Sequence, residues 1–215
     1  MAERKRILDP VARCSEILFG LIMAMTFTGS LSAATSGREE VRTMLIGAIG
    51  CNIAWGIVDA VMYLIAQITE RGRELRAVRA VRGSQDPAQS RRMVAEALPD
   101  FAASALPESA IETVRQRLAE LPEVPERPRW TRDDFLGALG VFLLVVISTF
   151  PVVIPFMLFD RTLVAMRVSN GVALILLFLC GHRLGRYADN RPWRMGLVMA
   201  VIGSALVALT IALGG

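Results

Sequence analysis

The sequence predicts an all-α, polytopic membrane protein with five transmembrane helices and a cytosolic helical insert between the second and third. Three observations carry this prediction. The 215 residues are 53% hydrophobic with a mean hydropathy of +0.47, too apolar for an ordinary soluble domain. The apolar residues gather in runs near the ~20 residues that a bilayer requires, at 17–34, 44–68, 135–159, 163–181 and 193–213. The basic residues are unevenly divided between the two sides that these runs define. Four precede the first run, twelve lie between the second and third, and four surround the junction of the fourth and fifth, leaving only Arg38, Arg42, Arg161 and Arg167 on the other side. Twenty against four places the amino terminus in the cytosol and the carboxyl terminus outside, in a bacterial inner membrane. The net charge of +4 and pI near 9.5 are therefore a matter of topology, with attraction to anionic lipid as a by-product and no call for nucleic acid.

The elements divide into a membrane block at 1–68, a polar insert at 69–130 and a second membrane block at 131–215. The first run is the least apolar, since it carries Thr26, Thr28, Ser30 and Ser32. Arg4-Lys5-Arg6 ahead of it and Ser32-Ala33-Ala34 at its end resemble a signal peptide, but the polar lead is long and Glu16 sits at the apolar edge. Gly37-Arg38-Glu39-Glu40 reads as a tight outer turn. The second helix has no proline until after Gly83-Ser84, so it is expected to continue past Ile68 through Arg82. Asp86-Pro87 opens another helix, with Asp as cap and Pro at the first position, running through Met93, Val94 and Leu98. Pro107 opens a third, on which Ile111, Val114, Leu118 and Leu121 follow a helical period. The proline-rich stretch after Leu121 is a stiff lead into the third span. That span contains Pro151 and Pro155, a signature either of a kink beside a pathway or of simple shape adjustment. Gly196, Ala200, Ser204 and Ala208, with Gly203 beside them, form a small-residue packing stripe on the fifth.

The residue that most needs a function is Asp59, in the middle of the second span. An ionised carboxylate there costs roughly 2.5–3.5 kcal/mol on insertion scales. Asn52, seven residues earlier, shares its helix face, with Gly56 between and Met62 just beyond. On the first span Glu16 is followed by Gly20 and Met23. Glu16, Asn52, Asp59, Met23 and Met62 together make a candidate site for a divalent metal ion. Carboxylate and amide oxygens suit Mn²⁺ and Fe²⁺, and a thioether biases against Mg²⁺ and Ca²⁺. A membrane carboxylate also carries protons naturally, so metal and proton movement can be coupled at one place. Each residue has a plainer reading too. Glu16 can pair with Arg13 one turn earlier, Asp59 can clamp another helix, the methionines can be filler, and Asn170 can be an interhelical contact.

The remaining inventory is negative for chemistry. Cys14, Cys51 and Cys180 form no ligand-spaced cluster, and the single histidine, His182, suits a helix end. The glutamates of the insert are interleaved with arginines (Glu70 with Arg73, Glu112 with Arg115), which reads as solvated ion pairs. There is no phosphate-binding glycine loop, HExxH or nucleophile elbow, so neither an enzyme nor a resident cofactor is predicted.

The layout resembles the vacuolar iron transporter family. Ser15-Glu16 before a Gly-containing apolar helix resembles the Asp-Gly opening of that family's first span, and Asn52-Ile-Ala-Trp-Gly56 resembles its Glu-Ile-Ala-x-Gly segment. The run from Trp193 to Thr210 is similar to its last span. The resemblance implies a homodimer that exports Fe²⁺, and often Mn²⁺, from the cytosol in exchange for protons. It also implies an acidic ligand on span one, a methionine on span two, and glutamates and methionines of the insert that collect the ion. The acidic role falls on Glu16; the span-two glutamate falls on Asn52; the methionine falls near Ala60, with Asp59 and Met62 close by. Met93 is the insert's only methionine. The competing expectation is a non-transporting membrane assembly or sensing protein whose basic insert binds lipid or a protein partner.

Overall fold

The computed structural model describes residues 10–29, 37–121 and 124–212. The fold is all-helical, 86% helix, with no strand among these residues. The helices are α1 (Pro10–Gly29), α2 (Arg38–Gly83), α3 (Pro87–Glu96), α4 (Asp100–Ala105), α5 (Glu108–Ala119), α6 (Arg132–Leu158), α7 (Thr162–Tyr187) and α8 (Pro192–Ala212). Three of them, α2, α6 and α7, are long and apolar enough to cross a membrane. Their apolar side chains lie largely on the outside of the chain, Ile57, Ile147 and Ile175 among them, as lipid contact requires and water does not favour. The first and last expected spans contain shorter apolar helices, Cys14–Thr26 and Pro192–Leu206, so three rather than five helices meet the requirement among the described residues. Residues 30–34 and Leu213, assigned to those spans from sequence, lie outside the described residues, as do Arg4-Lys5-Arg6.

The chain forms two compact units, Met1–Tyr63 with Phe135–Gly215, and Leu64–Asp134. In the first unit, α1 is the central helix. Leu21, Ala24 and Met25 of α1 pack with Val152 of α6 and Ala173 and Leu177 of α7. The segment expected as an outer turn is instead the start of α2. Arg38, Glu39 and Glu40 form its first turn, and Glu40 Oε2 accepts from the Gly37 N–H at 3.2 Å. Acidic side chains there satisfy orphan donors and complement the positive end of the helix. α6 continues through Pro151 and Pro155. Proline cannot donate to the carbonyl four residues back, and close by the Ser169 hydroxyl of α7 donates to the Val152 carbonyl at 2.6 Å.

α7 and α8 form a hairpin in which backbone meets backbone. A Cβ at Gly181 would lie 2.6 Å from the Met195 carbonyl oxygen, and one at Gly185 2.8 Å from the Pro192 Cα. Gly196 faces Phe178 and Gly203 faces Leu177, whereas Ser204 and Ala208 are exposed, so the packing edge runs through Gly203. The connection is short. α7 ends with Asp189 at φ 49° and the Asn190 N–H bonded to the Gly185 carbonyl at 2.9 Å, a Schellman-type stop with Asp in the place usually held by Gly. Pro192 then opens α8. His182 lies inside α7, beside Phe178, and not at a helix end.

The second unit contains the end of α2, then α3, α4 and α5. Asp86 caps α3 by accepting from the Ala88 N–H at 2.8 Å, with Pro87 at the first position. Val81, Val94 and Ile111 are its core, with Met93 and Leu118 packed against them. Leu98 falls beyond α3, and Val114 and Leu121 are exposed, so the buried face of these helices is narrower than their period suggests. The proline-rich lead is strapped to α2. Arg79 donates to the Pro125 and Glu126 carbonyls, and Arg71 to the Arg129 carbonyl. Arg71 also grips the buried Asp134 with two bonds of 2.9 and 3.0 Å. Asp134 and Thr131 bond reciprocally, side chain to backbone, which caps the start of α6.

Candidate functional site

Three successive turns of α1 address its neighbours at different levels. At the first, Glu16 meets Asp59 of α2, carboxyl group against carboxyl group. Glu16 Oε2 and Asp59 Oδ2 are buried and have no hydrogen-bond partner among the described residues. No arginine or histidine among the described residues makes an ion pair with either group. The suggested pairing of Glu16 with Arg13 concerns a side chain outside the described residues. At the second level, Gly20 lets α6 approach, so that a Cβ there would lie 3.2 Å from Ser148 Oγ and 3.3 Å from Thr149 Cγ2. At the third, Met23 Sδ lies 3.4 Å from the Cys51 thiol of α2.

α2 presents its polar stripe to the same region. Asn52 is 3% exposed, and its amide donates to Thr149 Oγ1, with longer contacts to the Val145 and Val146 carbonyls at 3.4 Å. Its Oδ1 is buried and has no hydrogen-bond partner among the described residues. Gly56 packs on Phe142, and the Tyr63 ring fills the space at Gly137 that a side chain would need. α2 and α6 thus run antiparallel in contact, with small residues admitting the large ones opposite.

The five residues read from sequence do not form one coordination sphere. Glu16 and Asp59 are brought together. Asn52 stands seven residues from Asp59, about 10 Å along the helix, too far for one ion to touch both. It is anchored instead to α6, and Met23 keeps company with Cys51. Met62 is 57% exposed and points away from the pair. Among the described residues no group of three or more His, Cys, Asp or Glu side chains is placed to hold a metal ion. Thr149 and Cys51 were not anticipated as partners, although Ser148-Thr149 is a polar step in an apolar helix and was visible as such. Asn170 Oδ1 of α7 is a further buried acceptor without a partner.

No protein-family model matches the chain, and no curated protein matches it either.

In the second unit Glu70, Glu112 and Asp134 are paired with arginine. Arg115 donates to both oxygens of Glu112 at 2.7 and 3.0 Å, and Gln116 and Arg91 add bonds of 3.1 and 3.4 Å. These donors, Arg115 first, hold the Glu112 carboxyl far below the usual carboxylate range, at about 2. Glu70 pairs with Arg73. Met93 is packed in the core of the unit.

Proposed function

We propose that this is an integral membrane protein of five spans, amino terminus in the cytosol and carboxyl terminus outside, that exports a divalent metal ion, Fe²⁺ or Mn²⁺, in exchange for protons. We place it as a divergent homodimeric relative of the vacuolar iron transporters in a bacterial inner membrane. One observation carries the reading: two carboxyl groups, on different apolar helices, face each other, and one buried oxygen of each has no partner among the described residues. Two like charges so close repel unless a cation or a proton lies between them. A proton and a metal ion are thereby alternative occupants of the same place, which is what exchange needs.

Two carboxylates with no third protein charge make a weak site for a resident metal and a suitable one for an ion in transit, which must also leave. Asn52 Oδ1, without a partner among the described residues, and the Met23 thioether are separate uncharged ligand atoms further along α2 and α1. The reading of Asp59 as a clamp has the Glu16 carboxyl group as its partner, and one of the two must carry a proton to donate.

Metal flux into proteoliposomes tests this, with Fe²⁺, Mn²⁺, Co²⁺ and Zn²⁺ compared with and without a proton gradient. Flux of Fe²⁺ or Mn²⁺ that rises with the gradient and falls about tenfold or more in Asp59→Asn supports transport. Folded wild-type protein that moves none of these ions transfers the assignment to an assembly or sensing protein.

A further inference from the structure

One hollow of the membrane unit is lined by neither carboxylate of the pair. A groove of about 980 Å³ runs between α6 and α7, with Cys14 and Ile17 of α1 on its wall. Its sides are apolar, Leu143 and Ile147 from α6, Leu176 and Leu179 from α7. Along α6 it extends from Gly140 to Pro151, a rise of about 16 Å. That matches one leaflet of a hydrocarbon core about 30 Å thick. The chemistry of its two ends differs. The end near Pro151 carries no charged residue. The other carries Arg183, which also lines a smaller adjoining hollow with Arg186 and Tyr187. Both arginines are exposed, and among the described residues neither makes an ion pair.

We propose that this groove is a binding site for an anionic phospholipid of the cytosolic leaflet, with an acyl chain along α6 and α7 and the phosphate on Arg183 and Arg186. Guanidinium groups recognise phosphate oxygens in pairs, and basic hollows at the cytosolic ends of membrane helices suit anionic headgroups. The length selects one leaflet, and the charge at one end selects the anionic class and fixes the direction of the chain. A zwitterionic lipid would fill the same groove without answering the two positive charges. Gly140 leaves room for the chain, since a Cβ there meets no atom within 4 Å.

The test is lipid retention by the full-length protein in a neutral detergent, read by native mass spectrometry and by thermal melting, with phosphatidylglycerol and phosphatidylcholine of matched chains. Wild type is expected to retain phosphatidylglycerol preferentially and to melt at a higher temperature with it. Arg183→Gln and Arg186→Gln each weaken that preference by about fivefold, the equivalent of one arginine's attraction to an anionic lipid of about 1 kcal/mol. Gly140→Leu fills the groove and lowers retention of both lipids while leaving the lipid-free melting temperature unchanged or higher. Equal retention of the two lipids by wild type, or a preference that survives the double arginine variant, overturns the proposal. So does a Gly140→Leu protein that keeps its lipid but changes its oligomeric state, which assigns the groove to a second copy of the chain. None of these readouts involves metal flux, so the result stands apart from the transport reading.

Discussion

Glu16 of α1 and Asp59 of α2 turn their carboxyl groups toward each other, 43 positions apart in the chain, and Glu16 Oε2 and Asp59 Oδ2 lack a hydrogen-bond partner among the described residues. Sequence alone presents them as two isolated costs in two helices. Together they are one feature with a defined electrostatic requirement. Neutralising either, as Glu16→Gln or Asp59→Asn, is expected to leave the melting temperature in detergent unchanged or raised, because like-charge repulsion is relieved. Both are expected to lose metal flux, and the double variant loses no more than either single one. A large fall in melting temperature for Asp59→Asn would instead identify Asp59 as a structural clamp.

The Asn52 to Thr149 contact fastens α2 to α6. Thr149→Val removes the acceptor and is expected to cost about 1 kcal/mol, as is Asn52→Leu. Combining them should cost less than the sum, and thermal melts of the four proteins measure the coupling. Additive losses would show that the two side chains do not act as a pair.

Glycines of the membrane unit should rank by what each faces. Gly181→Ala meets a backbone carbonyl and a Cα, which cannot move aside, and should destabilise by about 1–3 kcal/mol. Gly203→Ala meets the tip of Leu177, which can rotate, and should cost less. Gly50→Ala meets nothing and should be neutral or slightly stabilising through helix propensity. Melting temperatures in one detergent settle the order.

Arg71 is expected to govern the strap of the second unit. Arg71→Met leaves Asp134 buried without its cation and frees the Arg129 carbonyl, at a cost of about 3 kcal/mol. Trypsin should then cut at Arg129 faster than in wild type, Arg127 being protected by Pro128. Adding Asp134→Asn should restore much of the resistance.

The acid response of the insert follows from Glu112. Its folded-state pKa is depressed to about 2, so its contribution to stability is present above the ordinary glutamate value of about 4.3 and is lost as pH falls toward 2. Wild type should therefore lose more melting temperature between pH 5 and pH 2 than Glu112→Gln does. Because the ion pair faces solvent, the difference should shrink in high salt.

Local signals were legible in the chain. Asp86-Pro87 announced the start of α3, the absence of proline carried α2 through to Gly83, and the arginines among the glutamates announced ion pairs. The apolar run was enough to single out Asp59, because the cost of a buried charge depends on its surroundings and not on a partner. What the sequence withheld were the pairings. Helical period puts Asn52 and Asp59 on one face, yet it does not say that Asn52 bonds to Thr149 of α6 while Asp59 meets Glu16 of α1. Nor does it say that Met62, only three residues from Asp59, looks outward. The strap was invisible for a related reason: Arg71 and Arg79 bind backbone carbonyls, and a carbonyl leaves no trace in residue type.

The α7–α8 hairpin has a consequence for movement. Where backbone touches backbone, at Gly181 and Gly185, no side chain is available to change rotamer, so the two helices resist sliding and rolling there. The joint between α1 and α2 at Met23 and Cys51 is made by the ends of two flexible side chains, a thioether and a thiol that can re-seat at little cost. Within the membrane unit the hairpin is therefore the unyielding contact and the Met23–Cys51 joint the yielding one.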